Sequence, residues 1–255
     1  MVAITREVSS ALAECELTHL RRTAIDVELA RAQHRAYERA LSDAGYAVER
    51  LASGSDMPDS VFVEDVAVVL DELAIVTRPG APSRRVEVPA VADALKRHRR
   101  LAFIEPPAIV DGGDVLVCGR TVYVGRSTRT NDEAVAQIRR ILAPLGYAVC
   151  AVTVRHCLHL KSAVTEVSAG VLLANPDRVD RAAFGASEII DVHPGEASAA
   201  NALRLHDRII FPAAFPWTAE RLRARGLRVE IVDASELQKA EGAVTCCSLI
   251  MSERI

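Results

Sequence analysis

Glu241-Gly242-Ala243-Val244-Thr245-Cys246-Cys247-Ser248-Leu249-Ile250-Met251 is the stretch on which the fold turns. A helix ends at Gly242, two thiols follow, and an apolar run starts a strand. The run reads as the opening of a hairpin at Val244, yet the sequence stops at Ile255 with no helix or return strand after it. Four fuller versions of the same pattern precede it. Taken alone, an apolar Cys-Cys pair is ordinary packing material. Its position in a repeat is what makes it more.

The first unit pairs Asp59–Leu70 with Leu73–Val76, β-branched runs that carry inserted acids. A Pro-, Gly- and Arg-rich loop over 77–85 and a helix over Pro89–Arg99 follow, with Pro89 suited to a first turn. The second pairs Asp111–Val117 with Thr121–Val124 and continues into a helix carrying Ala134, Ile138, Ile141 and Leu145. The third pairs Leu160–Thr165 with Val171–Ala174, and a helix follows near Val179–Phe184. The fourth pairs Asn201–Leu205 with Arg208–Phe211; its helix runs Thr218–Arg225 and stops at Gly226. The strand Arg228–Val232 and a capping box, Ser235-Glu236-Leu237-Gln238, lead back to Gly242.

Units that begin near residues 61, 111, 161 and 201 have the spacing of cyclic or stacked repeats. The truncated fifth unit finds its missing helix and strand at the other end of the chain. Val27–Ala44 is an amphipathic helix with Asp26 as N-cap and Gly45 as stop, and Tyr46-Ala47-Val48 is extended. The sequence therefore predicts one α/β domain over 1–255: a ring of five hairpin-helix-strand units closed by both termini, with the C-terminal strand beside Val2-Ala3-Ile4. Closure leaves no exposed sheet edge around the ring.

Bulk properties narrow the function. A formal net charge of -3 over 255 residues argues against nucleic-acid or membrane-surface binding by electrostatics. The six cysteines form neither a CxxC pair nor a zinc-finger spacing, a pattern of reducing, cytoplasmic proteins. No signal-peptide core or membrane-length apolar run is present in the sequence.

Ring-related positions point to one axis. The hairpin starts carry Asp59, Glu64 and Asp65, then Asp111 and Asp114, then His159, then Cys246. Singly, such acids are solvated surface groups and a lone histidine is a packed one. At a shared phase they build an acidic centre with one imidazole and one thiol, suited to an organic cation. Arg84 and Arg129 begin helices in two units and are placed to fork a carboxylate. A small amino acid with a cationic side chain satisfies both halves.

Six stretches carry a resemblance: Phe62-Val63-Glu64-Asp65, Thr77–Arg85, Asp111-Gly112-Gly113-Asp114-Val115-Leu116, Arg129-Thr130-Asn131, Leu158-His159-Leu160-Lys161-Ser162 and Thr245-Cys246-Cys247-Ser248. Together, and in this order, they resemble the dimethylarginine dimethylaminohydrolases of the guanidino-group-modifying superfamily. The resemblance implies the five-unit α/β propeller, known as the pentein fold. It implies hydrolysis of asymmetric dimethylarginine or monomethylarginine to citrulline, with Cys246 as nucleophile, His159 as general acid and base, and Asp111 as the third catalytic group. Asp65 and Asp111 would hold the guanidinium. Asp59 and the Leu17 carbonyl would meet the α-amine, Arg84 and Arg129 the α-carboxylate, and Glu64 and the backbone near Ala240 the rest of the pocket. No metal or organic cofactor is implied, zinc at Cys246 and His159 would be adventitious, and a homodimer is left open.

Position 161 separates relatives. Arginine and agmatine deiminases and amidinotransferases typically carry His-x-Asp, whose acid grips the far guanidinium nitrogens. His159-Leu160-Lys161 lacks that acid, which makes room for N-methyl groups. The competing readings are an arginine deiminase-like hydrolase of another substituted guanidine and a non-catalytic binding protein, as in a ribosome anti-association factor of this fold. The latter should lack the cysteine and histidine, and this chain has both.

Overall fold

The computed structural model describes residues 1–251. In chain order, β1 (Val2–Arg6), α1 (Val27–Asp43) and β2 (Ala47–Leu51) come first. Next come β3 (Ala67–Val69), β4 (Leu73–Val76), α2 (Val88–Leu95) and β5 (Arg100–Phe103). The second unit is β6 (Val115–Cys118), β7 (Thr121–Arg126), α3 (Asp132–Leu142) and β8 (Ala148–Thr153). β9 (Val164–Ser168), β10 (Val171–Ala174) and β11 (Glu188–Asp191) form the third. β12 (Leu203–Arg204), β13 (Ile209–Pro212), α4 (Pro216–Ala224) and β14 (Val229–Val232) form the fourth, and α5 (Ser235–Lys239) and β15 (Leu249–Met251) close the described chain.

These strands make five three-stranded sheets, each with the same plan. A middle strand pairs antiparallel with the strand before it and parallel with the strand after the crossover. Four sheets are sequential. The fifth joins the two ends of the chain: β1 pairs antiparallel with β15, Ile4 opposite Leu249, and parallel with β2. The predicted closure by both termini is therefore observed.

Apolar packing makes the five sheets a ring. Each unit's crossover segment shares one apolar cluster with its own sheet and with the sheet of the unit before it. Val91 and Leu95 of α2 lie against Ile4, Leu249 and Met251 of the fifth sheet. Ile138 and Leu142 of α3 reach Val68 and Ile75 of the first. Phe184 meets Leu116 and Tyr123 of the second, Leu222 meets Leu173 and Ile190 of the third, and Tyr37 and Leu41 of α1 meet Ile210 and Val232 of the fourth. Burying a leucine or isoleucine side chain contributes about 1.5–3 kcal/mol, so each seam holds several such increments. The inner strands of all five units line an axial cavity of about 900 Å³.

The α1 reading agrees in detail. The Asp26 carboxylate accepts from the Leu29 N–H, and Gly45 leaves the helix at φ +87°, a conformation that costs glycine little. Other expectations need correction. Residues 61–66 and 112–114 are not strand. Val63–Val66, Gly112–Asp114 and Leu160–Ser162 are short 3-10 turns at the inner mouth of three hairpins. Their amides are satisfied locally and across units, as when Glu64 N–H donates to the Cys246 carbonyl. The second helix starts at Val88 and ends at Leu95, four residues short of the predicted end. The third unit's helix is a single turn, Arg181–Phe184, capped by Asp180 and ended by Gly185. The capping box does not form: Ala234 is the N-cap of α5, and the Asp233 carboxylate takes the Ser235 N–H.

Candidate active site

The three 3-10 turns and the loop that follows α5 meet at one end of the axial cavity. Their side chains split between two spaces. Glu64, Lys161 and Thr245 line the axial cavity. Their neighbours Asp65, His159 and Cys246 line a separate cleft together with Asp59, Arg84, Asp111, Arg129 and Ala240. A polar partition divides the two: Lys161 Nζ sits 2.7 Å from Glu64 Oε1, and Thr245 Oγ1 donates to Glu64 Oε2 at 2.7 Å. Asn201 braces it by donating to Thr245 Oγ1 and accepting from the Thr245 N–H. Lys161 is thus an internal partner of Glu64, and Glu64 faces the axial side of that partition.

His159 is buried, with Nε2 3.1 Å from Asp111 Oδ2 and Nδ1 3.7 Å from Asp65 Oδ1. Burial alone would keep the ring neutral. Asp65, the Asp111 hydrogen bond and Asp114 outweigh it and raise the imidazole to about 9. His159 is therefore an imidazolium at neutral pH. Asp111 is held from its other side by the Gly80 N–H, 2.8 Å from Oδ1. Asp114 is a structural clamp: it accepts from Ser127, Thr130 and the Leu160 N–H.

Gly112 and Gly113 let these pieces approach. A Cβ on Gly113 would lie 2.6 Å from His159 Nδ1 and 2.8 Å from Asp65 Oδ1. Any side chain there would push the imidazole off its carboxylates. The Gly113 N–H also donates to Asp65.

Cys246 is half-buried at the cleft wall, and its neighbour Cys247 is buried in the core beneath α1. Desolvation, followed by Glu64 and Asp65, pushes the Cys246 thiol well up from its ordinary range. The resting sulfur is a thiol. Asp65 stays ionised: burial opposes its charge, but His159, Arg84 and the Gly113 N–H outweigh burial.

Arg84 is buried beside Asp65. Its guanidinium pairs with Asp65, donates twice to Glu87 at 3.0 and 2.8 Å, and reaches the carbonyls of Asp59 and Phe62. Glu87 escaped the sequence reading, although an acid three residues after an arginine in a helical turn is the spacing of such a pair. Arg129 is the arginine that faces the cleft's outer side. It meets Glu16 and Thr18, each at 3.3 Å. Asp59 accepts from the Glu16 N–H, and Leu17 lies in the same strap. Glu16 and Glu241 also line the cleft and were missed, since neither lies in a repeat-related position.

Asp65, Asp111 and His159 offer ligand atoms within 4.8 Å of one another. A metal there would have to displace the histidine proton that the two carboxylates favour. No helix of the described residues is long and apolar enough to cross a membrane.

Comparison with known proteins gives a consistent family. The family model described as "N,N dimethylarginine dimethylhydrolase, eukaryotic" matches residues 15–192. An N(G),N(G)-dimethylarginine dimethylaminohydrolase of Streptomyces coelicolor is 40% identical over 252 residues, covering 98% of this chain and 97% of that protein. Its counterpart in Pseudomonas aeruginosa is 37% identical over 219 residues, covering 85% and 86%. A solved structure of the Pseudomonas aeruginosa enzyme, a mutant complexed with citrulline, superposes with a TM-score of 0.93 at 35% identity and 97% coverage of both chains. The N-terminal domain of a cyanobacterial arginine dihydrolase has the same fold, with a TM-score of 0.86 at 20% identity. The five-unit α/β propeller, the cleft at its axis and these similarities lead to one assignment: the chain belongs to the dimethylarginine dimethylaminohydrolase family.

Proposed function

We propose that this protein hydrolyses Nω-methylated arginine to citrulline and dimethylamine or methylamine, through a covalent adduct on Cys246. The observation that carries the reading is the position of His159, 3.1 Å from Asp111 and 3.7 Å from Asp65, in the cleft that also contains Cys246; the two carboxylates favour its imidazolium form. An acid is loaded and waiting, and a nucleophile is silent until a cation arrives.

Each charge then has a task. Asp65 and Asp111 fix the flat guanidinium so that its central carbon faces the sulfur. The bound cation favours thiolate over thiol, and the thiol proton leaves to solvent. Sulfur attacks the guanidinium carbon to give a tetrahedral adduct. The bond to the methylated nitrogen breaks as His159 gives that nitrogen its proton, and the amine departs. An S-alkylthiouronium remains. Neutral His159 takes a proton from water as the water adds to the same carbon; the carbon–sulfur bond then breaks as the new hydroxyl becomes the ureido carbonyl, and its proton passes to the departing sulfur, which restores the Cys246 thiol and the His159 imidazolium and releases citrulline.

Arg129 and the strap containing Leu17 are assigned to the amino-acid end, with Asp59 at the α-amine. Arg84 takes part at the α-carboxylate only if it loosens from Asp65 and Glu87. Ala240 supplies the wall opposite, and Glu64 acts through the Lys161 partition behind the guanidinium. Lys161 leaves no carboxylate for the far nitrogens of unsubstituted arginine.

The deciding experiment measures citrulline formed from asymmetric dimethylarginine, monomethylarginine and arginine. The expected result is turnover of the methylated compounds with little from arginine. A clear preference for arginine would overturn the substrate assignment.

A further inference from the structure

Thr18, His19 and Leu20 are exposed and belong to no helix or strand, yet their three consecutive N–H groups converge on one carboxylate. Glu241 Oε2 accepts from Thr18 at 3.0 Å, and Oε1 accepts from His19 and Leu20 at 2.5 Å each. Successive amides turned toward one anion form a strong, charge-assisted clasp.

The residue that supplies it is itself unusual. Glu241 has φ +59°, in the left-handed region that favours glycine. Strain of this kind persists where the surrounding structure fixes it, and it clusters at functional sites. Glu241 stands two residues after α5 and five before Cys246, so its backbone belongs to the segment that sets the nucleophile while its side chain grips the strap.

The cleft beneath is nearly shut. Its free space is about 20 Å³, far below the roughly 300–1,000 Å³ typical of small-molecule pockets. An amino acid the size of methylarginine enters only if a wall moves. The strap over residues 16–20 has no regular structure and contributes Glu16 to the cleft lining. Its other ties are Arg129 on Glu16 and Thr18, Ser83 on Glu16, and Asp59 on the Glu16 N–H. Arg129 and Asp59 are the groups assigned above to the substrate's carboxylate and amine. An incoming amino acid therefore competes with Glu16 for both, which leaves Ser83 on the Glu16 carboxylate and Glu241 on the Thr18, His19 and Leu20 amides as the ties that substrate does not contest, and Glu241 holds three of these four bonds.

We propose that Glu241 is a positioning residue, the latch that holds the 16–20 strap closed over the cleft. It keeps the strap hinged while substrate enters and restores it over the bound amino acid. The kinetic half of this proposal rests on the function proposed above; the structural half does not.

The test uses Glu241→Ala and Glu241→Gly with two readouts. Hydrogen exchange of the unliganded protein should speed up by about tenfold or more at the Thr18, His19 and Leu20 amides, with β7 and β13 amides unchanged. In citrulline assays, KM for methylarginine should rise by about tenfold while kcat changes by less than about threefold. Glycine suits the left-handed backbone, so Glu241→Gly should melt no lower than wild type yet show the same loosened strap and raised KM. Unchanged exchange in both variants, or a wild-type KM in Glu241→Gly, would overturn the latch. A wild-type enzyme inert toward methylarginine would sink the functional reading and leave the exchange result to judge the latch alone.

Discussion

His159 Nε2 lies 3.1 Å from Asp111 Oδ2, and neither side chain is more than 6% exposed. This pair, with Asp65 on the other ring nitrogen, sets the resting charge of the site. The folded imidazole titrates at about 9, above its ordinary 6.5. Its stabilising contribution is complete below about 6.5 and fades as pH rises through about 9. Asp111→Asn should lower the His159 value, seen directly as an earlier imidazole titration by NMR, and should flatten the loss of melting temperature between pH 7 and 9.5.

Cys246 should behave as two different sulfurs with and without substrate. In the free protein the thiol is pushed up by burial, Glu64 and Asp65. Alkylation by iodoacetamide should be slow at pH 7 and climb steadily through pH 9, without the neutral plateau of a preformed thiolate. Cys246→Ser should lower kcat by at least about 10³-fold, as expected for a covalent nucleophile, whereas Cys247→Ser should retain turnover.

Gly113→Ala tests how tightly the acid loop must approach the histidine. The new methyl would meet His159 Nδ1 at 2.6 Å and Asp65 Oδ1 at 2.8 Å. Overpacking of this kind costs about 1–3 kcal/mol. The variant should fold with reduced stability in urea, and kcat should fall more steeply than KM changes.

Arg84→Met would leave Asp65 and Glu87 buried without their common partner. Breaking a buried ion pair from one side costs about 3–5 kcal/mol. The loss should be largest at pH 7 and smaller near pH 5, where the stranded carboxyls take up protons. Urea midpoints at the two pH values check this.

The ring's closing seam should be as stiff as any other. Leu95 is fully buried in a cluster with Ile4, Leu249 and Met251. Leu95→Ala should cost about 2–5 kcal/mol and loosen β15, read as faster exchange at Leu249 to Met251.

The repeat was legible because each unit must bury one face of a hairpin and one face of a crossover. The resulting alternation of β-branched runs, turns and apolar helix faces is written locally, as in Thr121–Val124 followed by Ala134 and Ile138. The 3-10 turns were not legible. Val61–Val66 has the composition of a strand, and its turn joins local bonds, such as Asp65 N–H to the Phe62 carbonyl, to one from another unit, Glu64 N–H to the Cys246 carbonyl, which no local pattern announces. Glu241, Glu16 and Glu87 were missed for a related reason: their partners lie on other elements or along a turn whose pitch the sequence does not declare.

By itself the sequence determined the five-unit ring, its closure through Val2-Ala3-Ile4, and the chemical inventory of Cys246, His159, Asp111, Asp65 and Arg129. Those are properties of residue type and period. Which carboxylate touches which nitrogen was decided only in three dimensions. Asp65 and Glu64 are adjacent in the chain, yet one serves the cleft and the other the axial partition. The protonation of His159, the silence of the Cys246 thiol and the inward set of Arg84 follow from distances of a few ångströms among buried groups. Electrostatic interaction there depends on separation and burial, which no spacing along the chain encodes.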